Sequence, residues 1–135
     1  MTTQAITRSR APLAARTAAA LSVLLAAVTA GGAVYFSFFA PNAQAGSGTV
    51  VFITAFLAIK ATEVAAAAGV LRGSRLAWQI LVGLMVVWEV GFSIVKLVVW
   101  HETEALLFAG VALLVVTPLL LARATRRHVG FRYAP

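Results

Sequence analysis

Cysteine is absent from the 135-residue sequence. Its absence excludes a disulfide framework, a thiolate metal site and the quinone-linked disulfide chemistry that some small four-helix membrane enzymes perform. Acidic residues are scarce as well, because only four are present against 11 Lys and Arg. No polar stretch is long enough to form a second fold, so residues 1–135 are predicted to form a single domain.

Hydrophobic residues make up 61% of the chain, and charged residues only 11%. A soluble domain of this length has too high a ratio of surface to volume to bury so much apolar area. A lipid bilayer can solvate that area, and we therefore predict an all-α integral membrane protein. Abundant Ala and Val, with Arg preferred over Lys, suggest a GC-rich bacterial genome. The bacterial plasma membrane is the expected location.

Four segments are long and apolar enough to be membrane-spanning helices, which need about 20 mostly apolar residues. They comprise residues 17–40, 50–71, 76–99 and 105–122. Turn or interface signals lie at their ends: Pro41 follows the first segment, Ser74 is a candidate N-cap for the third, and Trp100 suits the interfacial aromatic belt. The expected architecture is a four-helix bundle.

The Lys and Arg residues predict how the chain is oriented. Four crossings would place nine of the 11 on one side of the membrane, in the amino-terminal arm, the middle turn and the carboxy-terminal tail: Arg8, Arg10, Arg16, Arg72, Arg75, Arg123, Arg126, Arg127 and Arg132. The two opposite loops contain neither Lys nor Arg, and the second contains Glu102 and Glu104. By the positive-inside rule, both termini are expected in the cytoplasm.

The arginines also bear on the partners of the protein. A net charge of +7 can indicate nucleic-acid binding. No aromatic–basic surface or binding module accompanies it, however, so we expect the arginines to set the membrane topology and to contact the lipid bilayer instead.

The start of the chain, basic and then apolar up to Ala43-Gln44-Ala45, is typical of a signal peptide. Its apolar region of about 24 residues exceeds the usual 7–15, so we expect an uncleaved helix, with cleavage as the alternative.

An intramembrane charge cluster lies in the second and third segments: Lys60, Glu63, Glu89 and Lys96. Each charge costs about 2.5–3.5 kcal/mol near the bilayer centre, so none is expected to face lipid. At 1.5 Å per residue, Lys60 and Glu89 lie at the same depth, roughly 15 Å below the outer surface. We predict an interhelical Lys60–Glu89 ion pair with Glu63 as a second acceptor. Because the four charges sum to zero, the cluster is expected to be neutral.

The cluster has two interpretations. It is either a packing lock that fixes which helix faces which, or a working site in which a carboxylate carries a proton or holds a cation. A third alternative is that the charged residues contact a partner subunit. Lys96 lies near the outer interface, where its amine can reach water, Glu102 or Glu104.

Two further patterns concern helix packing. A face of small residues on the second helix, separate from the charged face, suits close helix contact at the bundle centre or in an oligomer: Ala61, Ala65 and Ala68. In the fourth segment, Thr117-Pro118 is expected to kink the helix, with the Thr117 hydroxyl bonding a freed backbone carbonyl.

No catalytic or cofactor-binding pattern is present. His101 and His128 fall on opposite sides of the membrane in the predicted topology, so they cannot hold one haem or metal within a single chain. His101, Glu102 and Glu104 are a weak candidate for a metal site, because their spacing matches no metal motif. There is no nucleophile–base pair, phosphate-binding loop or dinucleotide fingerprint. We expect a protein that is not an enzyme and has no resident cofactor or metal.

Two functions from different classes fit these patterns. One is a non-enzymatic structural or accessory subunit of a larger membrane assembly. The other is a small transporter or channel, a homo-oligomer coupled to protons or cations through Lys60, Glu63 and Glu89. A water-accessible cavity at the carboxylates would favour transport, whereas dry and mutually paired charges would favour the first function.

Overall fold

The computed structural model describes residues 11–130, and within this range the chain is helical without strands. Five helices follow one another: α1 Leu13–Phe39, α2 Ser47–Leu71, α3 Arg75–Trp100, α4 Ala105–Leu121 and α5 Arg123–His128. The all-α prediction is confirmed, and the predicted segment bounds agree with α1–α4 to within four residues. Arg8, Arg10 and Arg132, which entered the topology prediction, lie outside the described residues.

Three of the helices are long and apolar enough to cross a membrane. α1, α2 and α3 contain 27, 25 and 26 residues, with mean hydropathy between 1.8 and 2.0. α4 is apolar but shorter, with 17 residues, which is the lower limit for a spanning helix. The structure therefore supports a multi-pass membrane protein with three helices of spanning length.

Large apolar side chains lie on the outside of the molecule along all four long helices. Phe36 and Phe39 at the end of α1, Val87 on α3 and Leu114 on α4 are among the most exposed. Such continuous apolar exposure is destabilising in water but is what a hydrocarbon solvent requires. The exposed surface is thus consistent with the membrane assignment made from composition.

The apolar core combines mostly small residues of α1 and α2 with mostly large residues of α3 and α4. α1 contributes Ala15, Ala18 and Ala19 to it, and α2 contributes Ala66 and Ala67. α3 and α4 supply the bulky members: Leu81, Met85, Val116 and Leu120. Small residues let α1 and α2 approach closely, which gains the dispersion contacts that hold helices together in lipid.

The predicted small-residue face of α2 does not lie at the centre of the packed helices. Of its three residues, Ala61 and Ala65 are exposed and Ala68 is half-buried, whereas the neighbouring Ala66 and Ala67 are buried. Ala67 lies one turn after Glu63, so the two residues share a face of α2. α1 packs against this face, and the charged face of α2 is therefore also its buried face. The bundle-centre alternative for Ala61 and Ala65 is therefore wrong, and contact with another chain remains.

The turn between α2 and α3 is tight and is covered by the end of α5. The Ser74 hydroxyl accepts a hydrogen bond from the Ala77 backbone N–H at 3.2 Å, which confirms the predicted N-cap. Gly73 has a φ of 84°, a left-handed conformation that favours glycine. His128 hydrogen-bonds through Nε2 to the Leu71 carbonyl at 2.9 Å and so ties α5 to the end of α2.

Wider π-helical turns interrupt three of the helices, at Tyr35–Phe39, Leu84–Glu89 and Ala112–Val116. The last one directly precedes Thr117-Pro118, where the proline cannot donate a backbone hydrogen bond. The Thr117 hydroxyl donates to the Ala112 carbonyl at 2.7 Å, five residues earlier. The hydroxyl thus bonds a backbone carbonyl, but not the freed one that was predicted, because the Ala112 carbonyl also accepts the Thr117 backbone N–H in the widened turn.

Gly69→Ala is expected to destabilise the protein, because α2 and α3 meet at this glycine. A β-carbon at position 69 would lie 2.4 Å from the Ala77 β-carbon. The helices must then separate, at a cost of about 1–3 kcal/mol. Thermal unfolding in detergent, followed by circular dichroism, measures the effect. The matched control is Gly83→Ala, where a β-carbon meets nothing within 4 Å. Equal melting temperatures for the two variants would contradict the close approach.

Candidate functional site

Three of the four predicted charges meet between α2 and α3, and we call Lys60, Glu63 and Glu89 the charge triad. Lys60 and Glu63 lie one turn apart on α2 and therefore share a face. Glu89 is the last residue of the π-helical turn Leu84–Glu89 in α3. Extra residues in such a turn rotate the side chains that follow it, and π-bulges recur at functional sites in proteins.

The Lys60 ammonium bridges the two carboxyl groups. Its Nζ atom lies 3.3 Å from Glu63 Oε1 and 3.5 Å from Oε2 of the same carboxyl. It also donates directly to Glu89 Oε1, which is the interhelical pair expected from the depth argument. The two carboxyl groups thus face a single ammonium from different helices. This arrangement links α2 to α3 through charge-assisted hydrogen bonds.

Lys96 does not belong to the triad. Its Nζ lies 3.6 Å from Glu102 Oε2, and both side chains are partly exposed at the end of α3. Lys96 thus reaches Glu102, one of the alternatives that the sequence suggested, because its long side chain extends to the interface. The four charges therefore do not form one neutral cluster. With both carboxyls ionised, one ammonium and two carboxylates leave the triad with one negative charge in excess. One proton or one small cation would neutralise it.

A cluster of aromatic rings covers the triad on the side away from the α2–α3 turn. Trp88 and Phe92 of α3 stack with ring centroids 5.0 Å apart and planes 5° apart. From α2, the Phe56 ring lies 5.7 Å from Phe92 and 6.1 Å from Trp88. The Lys60 ammonium is 5.3 Å from the Phe56 centroid, within the range of a cation–π interaction. The rings therefore both seal the triad and stabilise its cation.

Sequence reasoning missed this aromatic cluster, although the pattern is visible along both helices. On α2 and on α3, two aromatic residues and a lysine follow one another at steps of four: Phe52, Phe56 and Lys60, then Trp88, Phe92 and Lys96. Residues four apart share one face of a helix. The repeated aromatic–aromatic–lysine spacing was thus the signal that these faces meet.

The triad is sealed from its surroundings. Lys60, Glu63 and Glu89 are only 3%, 0% and 4% exposed. A groove of about 560 Å³ lies between α1 and α2, but none of the triad residues lines it. Buried charges persist only when they are paired and hydrogen-bonded, and Lys60 fulfils this condition for both carboxyls.

The weak metal candidate at the end of α3 is not assembled in the structure. Across residues 11–130, no group of three His, Asp or Glu side chains is placed to hold a metal ion. His101 adopts a left-handed conformation with a φ of 55° where α3 ends. Glu102 is engaged with Lys96 instead. His101 and Glu102 therefore take part in the end of α3 and its surface ion pair rather than in a common metal centre.

Comparisons of the chain with family models, with curated proteins and with solved structures find no match. The chemistry of the site must therefore be inferred from its own residues. An ammonium held by two carboxylates can lock two helices together, or it can exchange a proton or a cation if water reaches it.

Lys60→Met is expected to lower the free energy of unfolding by about 3–5 kcal/mol, because it leaves two buried carboxyls without their cation. The matched control, Lys96→Met, removes a partly exposed pair and is expected to cost at most about 1 kcal/mol. Adding Glu63→Gln and Glu89→Gln to Lys60→Met should recover most of the loss. Unfolding in mixed micelles with increasing denaturing detergent gives the three values. Similar losses for the two lysine variants would refute the special role of Lys60.

Proposed function

We propose that the protein is a non-enzymatic structural or accessory subunit of a larger assembly in the bacterial plasma membrane. In this proposal α4 is the fourth crossing, since 17 apolar residues just suffice to span the hydrocarbon core. Both termini then lie in the cytoplasm and the helices form a four-helix bundle. The arginines among residues 11–130 support this orientation, because all of them lie in the segments assigned to that side.

The observation that carries the proposal is the sealed and paired state of the charge triad. Lys60 bonds both carboxyls, and all three residues are at most 4% exposed. A transport site must exchange its ion with water on at least one side, and a cavity normally reaches it. A dry triad covered by aromatic rings instead acts as a packing lock between α2 and α3.

The exposed small-residue face of α2 supports assembly with a partner. Ala61 and Ala65 lie on the outside of the molecule, one turn apart. In lipid, helices associate chiefly where small side chains let their backbones approach, since burial of apolar area in itself gains nothing there. A partner helix on this face is therefore the contact that we propose for the assembly.

Photo-crosslinking in native membranes tests the partner contact. With a photoreactive amino acid at Ala65, we expect one protein adduct of discrete mass. The control position is Val87, an exposed residue on α3, where only the uncrosslinked chain is expected. The absence of any adduct at Ala65 would contradict the subunit proposal. An adduct at twice the mass of the chain would indicate the homo-oligomer that the second candidate requires.

The second candidate is a small oligomeric transporter or channel coupled to protons or cations. One specific observation favours it: a single ammonium faces two carboxyl groups, since Lys96 pairs with Glu102 and not with Glu63 or Glu89. With both carboxyls ionised, the triad would carry one excess negative charge. A proton or small cation that neutralises this charge is also a species that the site can take up and release. Transport further requires water to reach the carboxyls, in this chain or in an oligomer.

Infrared difference spectroscopy across pH, on the protein in bilayers, separates the two candidates. If the triad is a packing lock, the absorption of protonated carboxyl groups is expected to stay constant between about pH 5 and 8, because no water reaches them. Glu89→Gln should then mainly lower thermal stability. A carboxyl band that titrates in this window, and disappears in Glu63→Gln or Glu89→Gln, would refute the lock and identify the transport residue.

A further inference from the structure

A groove between α1 and α2 opens at the arginine-rich end of the helices. Its volume is about 560 Å³, and its lining is almost entirely apolar. Alanines of both helices, among them Ala19, Ala20 and Ala67, form much of its wall. Because their side chains end at the β-carbon, the two helices touch on one side and leave a furrow on the other. The furrow has the chemical character of a site for a hydrocarbon chain.

One charged side chain lies at the mouth of the groove. Arg16 lines it at the start of α1 and has no ion-pair partner among residues 11–130. The four acidic residues of the sequence lie at positions 63, 89, 102 and 104. The nearest along α2 is Glu63, about 12 Å from Leu71 at this end of the helix. An anion bound by Arg16 would therefore come from outside the helices.

The length of the groove distinguishes a lipid from a partner helix. The lining residues of α1 run from Arg16 to Ala27, a rise of about 16 Å. Half of a hydrocarbon core of about 30 Å is roughly the same length. An acyl chain extends from the headgroup level to the midplane, whereas a partner helix would need a furrow through the whole thickness. The groove thus fits one leaflet of lipid.

We propose that this groove is a binding site for one anionic phospholipid, with an acyl chain between α1 and α2 and the phosphate on Arg16. The guanidinium can donate two parallel hydrogen bonds to phosphate oxygens. A zwitterionic lipid offers the same phosphate, but its own ammonium competes for it. The site should therefore prefer phosphatidylglycerol to phosphatidylcholine. The site is independent of the charge triad and of the Ala61 and Ala65 face.

Native mass spectrometry of the full chain in detergent, titrated with either phosphatidylglycerol or phosphatidylcholine, tests the proposal. We expect one phosphatidylglycerol to remain bound. In Arg16→Gln its affinity should fall about tenfold, the loss typical of a hydrogen bond between charged groups, whereas Arg16→Lys should retain part of the preference. Arg123→Gln, an exposed arginine that does not line the groove, is the matched control and should bind as the wild type does.

Filling the groove provides a second measurement. Ala20→Phe should displace both lipids, whereas Ala55→Phe, at an exposed α2 position outside the groove, should displace neither. Position 20 is itself exposed, so the chain is expected to fold in either case. Equal binding by Arg16→Gln and Arg123→Gln, or by the two phenylalanine variants, would overturn the proposal. So would a dimer that dissociates on Ala20→Phe with lipid binding unchanged, since the groove would then hold a second copy of the chain.

Discussion

A single ammonium held between two carboxyl groups constrains how α2 and α3 face each other. Lys60 and Glu63 lie on one helix and Glu89 on the other, so a rotation or a shift of one turn would separate the charges. An unpaired charge away from water is far more costly than a lost apolar contact. The aromatic rings of Phe56, Trp88 and Phe92 depend on the same alignment, because they interlock directly beside the triad. α1 and α4 pack against this aligned pair of helices.

Packing against α1 depends on van der Waals contact instead of charge, since the hydrophobic effect does not drive helices together in lipid. Contact there depends on side chains small enough to bring two backbones together, and Ala15, Ala18, Ala66 and Ala67 provide them. Small side chains also leave the groove open at the arginine-rich end. Close helix contact and a lipid-sized furrow are thus two consequences of one alanine-rich surface.

The two functional candidates differ in what neutralises the triad. As a packing lock, the triad must hold its compensating proton or cation permanently, and the sealing by aromatic rings serves that purpose. As a transport site, the triad must exchange the same charge with water, and in this arrangement of the helices it is buried. The π-helical turn that ends at Glu89 matters for both candidates, because it positions the one carboxyl that α3 contributes.

The sequence by itself determined the helical segments, their suitability for a membrane and the alignment of Lys60 with Glu89. Each of these depends on composition or on the fixed rise of a helix, which the local sequence specifies. Only the tertiary structure decided that Lys96 pairs with Glu102, that Ala61 and Ala65 face outward, and that aromatic rings seal the triad. Helical periodicity gives the angles between side chains on one helix, but it does not specify which neighbouring helix approaches which face. That choice emerges only when all the helices pack together.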